Sequence, residues 1–273
     1  MSCICTVKTL LFGICISYTS LILAKKKESY IIVKSNQIIT IDGKLDEWND
    51  IPVTSGFTNH VTGEKGTVHA FAQMVWDNQN LYIAFTVTDL DITATCLTKD
   101  ANVFLSDDLV EMFFDFDGSG TNYLELGVSA TGVNYDCNII CPGADCGLWN
   151  SDSTWDIIGL QSKTIIHGTI NNSQDNDNGY TVEIKIPLSS LLSMNGGNYS
   201  QIKEGCVWKG NLFTINHNTD ARIRSNKNYL SWSTLGTFNF HQPLKFANFI
   251  FGSLIQSDIN VTKPKLKKHL PSK

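Results

Sequence analysis

Residues 105–120 read LSDDLVEMFFDFDGSG. Strand-forming apolar residues are interleaved with five acids: Asp107, Asp108, Glu111, Asp115 and Asp117. On a strand, successive side chains point to opposite faces. One face then carries Asp108, Val110, Met112, Phe114 and Phe116, apolar after its first residue and so turned to a core. The other carries Leu105, Asp107, Leu109, Glu111, Phe113 and Asp115. Unpaired carboxylates avoid the interior, so this face is either solvent-exposed or the floor of a polar groove. The run breaks at DGSG and resumes as TNYLELGVSATG, which predicts a hairpin.

The pattern repeats on both sides. HAFAQMVWDNQNLYIAFTVTD (69–89) is a second hairpin around the turn-rich DNQN. YIIVKSNQIITIDGKL (30–45) holds two apolar runs split by a polar turn. GYTVEIKIPLSSL (179–191) is a strand that Pro187 ends, followed by a helical turn. VWKGNLFTINHN (207–218) and KFANFIF (245–251) add further strands. No long segment has helical period. Many short strands at regular spacing predict an all-β fold, an antiparallel β-sandwich of jelly-roll type, as one domain over 30–251.

The flanks differ. Thr9 to Ala24 is uncharged and apolar, preceded by Lys8 and followed by Lys25, Lys26 and Lys27. It reads as a signal peptide over 1–24, shorter than the roughly 20 residues that span a bilayer. The expected product is an exported protein without a transmembrane segment, secreted or on the cell-envelope exterior. Residues 252–273 form a basic tail with the composition of a disordered segment. A net charge of −5 gives no footprint for nucleic acid or an anionic membrane.

Removal of 1–24 leaves Cys96, Cys137, Cys141, Cys146 and Cys206. In an exported chain, disulfides are the default. The cluster DCNIICPGADCG (136–147) predicts one local bridge, Cys137 or Cys141 to Cys146.

The acids admit several roles. Asp115 and Asp117 match the start of a calcium loop, but the twelfth position is Leu126 rather than Glu. The expectation is a hairpin turn first and a structural calcium site second. Asp107 and Glu111 lie four apart on one strand, about 13 Å by strand rise, so a glycosidase carboxylate pair has no sequence warrant. Among six tryptophans, Trp232 in the polar setting NYLSWSTLG is the best candidate for stacking on a sugar ring.

The ordered set IDGKLDEWNDIP, WDNQNLYIAFTVTDLDI, SDDLVEMFFDFDG, YLELGVSATGVNYD, GYTVEIKIPLSSL and SWSTLGTFNFHQPLKFANFIF resembles the family 9 carbohydrate-binding modules over about 38–251. The resemblance implies a sugar-binding β-sandwich, often with structural calcium, in which a ring is clamped between two Trp with acidic, amide and Arg side chains on its hydroxyls. Carried over, Trp232 matches one clamp residue, Glu111 the Glu of the D-x-V-E strand and Asn211 a late-strand Asn. Asp107 and Arg222 complete the candidate ligand set. The second clamp Trp is Leu105 here, and an Arg three after the late Asn is Thr214. Phe104 is next to Leu105, but strand alternation points it to the other face.

The implied function is non-catalytic binding of a polysaccharide or oligosaccharide, alongside partner glycosidases. Two alternatives remain at this point. One is glycoside hydrolase-associated activity. The other is a haem-binding electron-transfer sandwich with Met74, Met112 or Met194 as ligand.

Overall fold

The computed structural model describes residues 27–191, 194, 202–217 and 229–254. Its regular structure is almost all strand: β1 (Ser29–Lys34), β2 (Thr58–Asn59), β3 (His69–Trp76), β4 (Asn80–Thr88), β5 (Leu109–Asp115), β6 (Asn122–Ser129), β7 (Asn134–Ile140), β8 (Asn150–Asp152), β9 (Gln161–Ile166), β10 (Tyr180–Pro187), β11 (Val207–Ile215), β12 (Tyr229–Ser231) and β13 (Ala247–Leu254). The expected signal peptide (1–24) and all but the first three residues of the expected tail lie outside the described residues. The last strand runs to Leu254, three residues past the expected boundary.

The hydrogen-bonded order is β8-β7-β6-β5-β11-β13-β1-β3-β4-β10-β9. It folds into two facing halves, a β-sandwich. Both expected hairpins form, pairing Trp76 with Leu81 and Phe114 with Leu124 at their turns. Pro187 ends β10, and one helical turn, Leu188–Leu191, follows.

The pairing of the named strands is antiparallel, as expected, except at β1. β1 runs parallel to both neighbours, with Tyr30 beside Phe249 and Val33 beside Val75. Parallel neighbours require a long crossover. Here the rest of the domain separates β1 from β13, a pairing no local pattern encodes. The second apolar run near the N-terminus, Ile38 to Ile41, is not a strand. Its Ile39 packs with Trp48, Val75 and Tyr82 over the outer face of β3 and β4.

The main core lies between the halves. Val110, Met112 and Phe114 of β5 join Leu124 and Leu126 of β6, Met74 of β3, Phe85 of β4 and Ile184 of β10. Each such side chain contributes about 1.5–3 kcal/mol by leaving water. Met74, Met112 and Met194 are all at most 2% exposed inside this core. All three are packing residues of this core.

Every residue of β5 is buried. The first face is core, as alternation requires. The second is covered by a separate layer, in which Leu109 and Phe113 pack with Phe213, Leu235 and Phe246. That layer leaves a cleft over Glu111 alone among the strand's acids.

Candidate functional site: an aromatic cleft over a buried acid pair

The cleft occupies about 630 Å³ on the outer face of β5, β6, β7 and β11, within the usual range for small-ligand sites. Glu111 and Glu125 form its floor. Phe104, Phe113, Tyr135, Trp149, Tyr229, Phe238 and Phe240 supply seven aromatic rings, and His60 and His241 complete the lining with Ser151, Ile215 and Asn239.

The strand register builds the floor. Glu111 of β5 stands opposite Gly127 of β6, and Glu125 opposite Phe113. Glu125 is therefore the diagonal neighbour of Glu111 on one face, and Gly127 has no side chain to intervene. The two carboxyls hydrogen-bond to each other. Burial, then the charge and hydrogen bond of Glu125, push the Glu111 carboxyl well above the usual range. Burial raises Glu125 to about 7. Two acids this close hold one proton between them near neutrality, as like charges in a desolvated site must. Glu111 Oε2 is buried without a hydrogen-bond partner.

The wall is built around His241. The Tyr123 hydroxyl lies 2.7 Å from His241 Nδ1. Burial lowers the imidazole to about 4, so the ring is neutral. The network then assigns the phenol as donor to Nδ1 and leaves the ring proton on Nε2. Nε2 sits 3.9 Å from Glu125 Oε2, beyond hydrogen-bond range. Trp149 stacks on one side of the imidazole at 4.0 Å, and Phe113 lies at 5.1 Å.

Trp149 arrives through a covalent constraint. Cys141 and Cys146 form a disulfide just before it. This settles the open pairing and corrects Cys137, a free, buried thiol 3.8 Å from Glu125 Oε2. Burial and the charge of Glu125 push that thiol upward, so it is unreactive at neutral pH. The hairpin turn between β5 and β6 abuts the same loop. Gly120 has φ +72, and a Cβ there would meet the Ala144 carbonyl at 3.0 Å.

Several sequence candidates fall elsewhere. Trp232 is 5% exposed and stacks on Phe249 inside the core. It offers no free face to a ring, which corrects its assignment as a platform. Asn211 is fully buried and braces the adjacent chain, donating to Ser233 O and accepting from Ser233 N. Asp107 accepts backbone N–H bonds from Thr95 and Cys96 and is a loop cap. Arg222 lies outside the described residues. Leu105 is 68% exposed away from the cleft, while Phe104 lines it. Val103–Leu105 is a 3₁₀ turn rather than strand, so strand alternation inverted the two. Phe104 packs edge-on to Tyr135, and both line the cleft.

Asp115 accepts from the Gly118 and Gly120 N–H groups, each at 2.9 Å, and Asp117 from Ser119 N–H. These bonds account for the turn. Two other acid groups are more concentrated. Asp100, Asp136 and Asp156 surround the Lys99 ammonium, which already supplies their cation. Asp89 and Asp108 lie together with Asn216, at most 4% exposed. Burial and the charge of Asp89 push Asp108 up to about 9. The Oδ1 of Asn216 and the Oγ1 of Thr93 are buried there without partners.

The fold is a β-sandwich with a cleft of small-ligand size on one outer face. The chain belongs to the carbohydrate family 9 binding domain-like family, whose profile matches residues 41–253. It is 31% identical over 157 residues to the exoglucanase XynX of Acetivibrio thermocellus, and 30% identical over 174 residues to the endo-1,4-beta-xylanase A of Thermoanaerobacterium saccharolyticum. The matches cover 57% and 61% of this chain but 12% and 13% of those relatives. Among solved structures, a carbohydrate-binding protein of Bacteroides uniformis superposes with TM-score 0.62 at 15% identity, over 82% of this chain and 99% of that one. A family 9 module of Caldicellulosiruptor kristjanssonii in complex with glucose superposes with TM-score 0.54 at 18% identity, over 85% and 100%. These likenesses establish the fold. No helix among the described residues is long and apolar enough to cross a membrane.

Proposed function

We propose that this protein is an exported, non-catalytic module that binds carbohydrate in the Glu111–Glu125 cleft and acts in polysaccharide recognition beside partner glycosidases. The observation that carries the reading is the half-exposed Trp149, 42% accessible, set over buried carboxyls. Aromatic faces take the C–H face of a sugar ring, while carboxyls take its hydroxyls. Family membership and the enzyme context of the relatives support the same reading. Calorimetric titration with cellotriose and xylotriose tests it. Saturable binding that Trp149→Ala weakens at least tenfold is expected, and no binding by the intact chain sinks it.

The hydrolase reading fits the floor poorly. A retaining pair stands about 5–5.5 Å apart with the glycosidic bond between, and an inverting pair further. Glu111 and Glu125 instead hydrogen-bond to each other.

A structural calcium remains part of the proposal, moved from the Asp115–Asp117 turn to Asp89 and Asp108. The buried, partnerless Asn216 Oδ1 and Thr93 Oγ1 favour it. Calcium takes six to eight oxygen ligands of these types.

A further inference from the structure

We propose that the cleft selects amino sugars, a protonated 2-amino-2-deoxyhexose binding with its ammonium directed to the Glu111–Glu125 floor. The inference rests on the carbohydrate reading above and narrows its ligand class.

The charge inventory of the cleft carries it. Among the described lining residues there are two carboxyls and no Lys or Arg. The imidazole of His241 is held neutral by burial. Glu111 is 3% exposed, and its Oε2 has no hydrogen-bond partner at the base of the site. A neutral hydroxyl could occupy that acceptor, but it would leave the desolvated negative charge of the pair uncompensated. An ammonium supplies three donors and the missing positive charge together. The walls favour the same guest, because ring faces attract cations, more strongly when water is excluded. Trp149, Phe113 and Tyr135 provide such faces around the floor. A uronic acid is disfavoured for the converse reason, since its carboxylate would meet like charge with no cation to pair it. When the ammonium docks, it pairs with the single negative charge of the Glu111–Glu125 pair, and the shared proton stays between the two carboxyls, so charge and proton balance.

The test is calorimetric titration of the full chain at about pH 7, where the acid pair keeps one negative charge and below the roughly 7.7–8.0 of an α-amine. The probes are cellotriose, a glucosamine trimer, its N-acetylated counterpart and n-butylammonium. The glucosamine trimer is expected to bind at least tenfold tighter than cellotriose or the acetylated trimer, with n-butylammonium far weaker. In Glu111→Gln, a near-isosteric change whose folding is checked by thermal melting, the ratio of the two trimer affinities should collapse to within about twofold. Binding of cellotriose with no preference for the glucosamine trimer overturns the amino-sugar inference and leaves the carbohydrate reading standing. Failure of every saccharide overturns both. A preference that survives intact in Glu111→Gln, or n-butylammonium binding as tightly as the glucosamine trimer, also overturns the inference.

Discussion

The indole of Trp149 stacks on the imidazole of His241 at 4.0 Å, with 24° between the planes. One ring comes from a disulfide-tied loop and the other from a segment close before the last strand. Both rings line the cleft, with His241 Nε2 3.9 Å from Glu125 Oε2. Because Trp149 is 42% exposed, its truncation removes ligand-facing area and little core. Trp149→Ala is expected to weaken oligosaccharide binding at least tenfold. Its cost in unfolding free energy should stay under about 1 kcal/mol. Calorimetry and urea denaturation on one preparation separate the two effects.

The Cys141–Cys146 bridge positions that indole. Its loop is short, so the chain-entropy contribution is about 2 kcal/mol. The double variant Cys141→Ser, Cys146→Ser should lose roughly that stability and bind oligosaccharide several-fold more weakly. Unchanged affinity would show that Trp149 keeps its place without the bridge.

The acid pair predicts a pH dependence with a definite sign. Burial raises Glu125 from near 4.5 to about 7 and Glu111 higher still. The folded state therefore holds protons the unfolded chain gives up, and stability falls as pH rises from about 4.5 through 7. The contribution is on the order of 3 kcal/mol. Urea midpoints at pH 5 and pH 8 should differ more for wild type than for the double variant Glu111→Gln, Glu125→Gln. Asp108 and Asp115, also raised by burial, to about 9 and about 6, are common to both proteins and cancel in the comparison.

The Asp89–Asp108 cluster predicts a response to calcium. A cation there would offset the burial and the like charge of Asp89 that together hold Asp108 near 9. Ligand at one hundred times its dissociation constant adds about 2.7 kcal/mol. The melting temperature should rise with calcium and fall with chelator, and Asp108→Asn should abolish the difference. A wild-type melt indifferent to calcium contradicts the site.

Much of the fold is legible in LSDDLVEMFFDFDGSG. Period-two alternation places Val110, Met112 and Phe114 in the core and Glu111 on the opposite face, because β5 is regular strand from Leu109 to Asp115. Alternation fails where the backbone leaves the strand. At Val103–Leu105 a 3₁₀ turn presents Phe104 to the cleft and Leu105 to solvent. The partner of Glu111 is not legible, since Glu125 becomes a neighbour only through the β5–β6 register. Polar neighbours made Trp232 look exposed. Its Ser233 N–H and C=O are in fact satisfied by buried Asn211, so the polar run is internal wiring. A signal for Trp149 was available in the cysteines of CPGADCGLWN, since a short disulfide loop can hold the aromatic ring that follows it at the surface.

The most direct measurement is the set of tryptophan indole N–H signals in a ¹⁵N–¹H correlation spectrum, titrated with oligosaccharide. Trp149 lines the cleft, whereas Trp48, Trp76, Trp208 and Trp232 are at most 5% exposed. The indole signal of Trp149, assigned by its loss in Trp149→Phe, should shift to saturation while that of Trp232 stays in place. A saturable shift at Trp232 with Trp149 unmoved would contradict the placement of the binding site in this cleft.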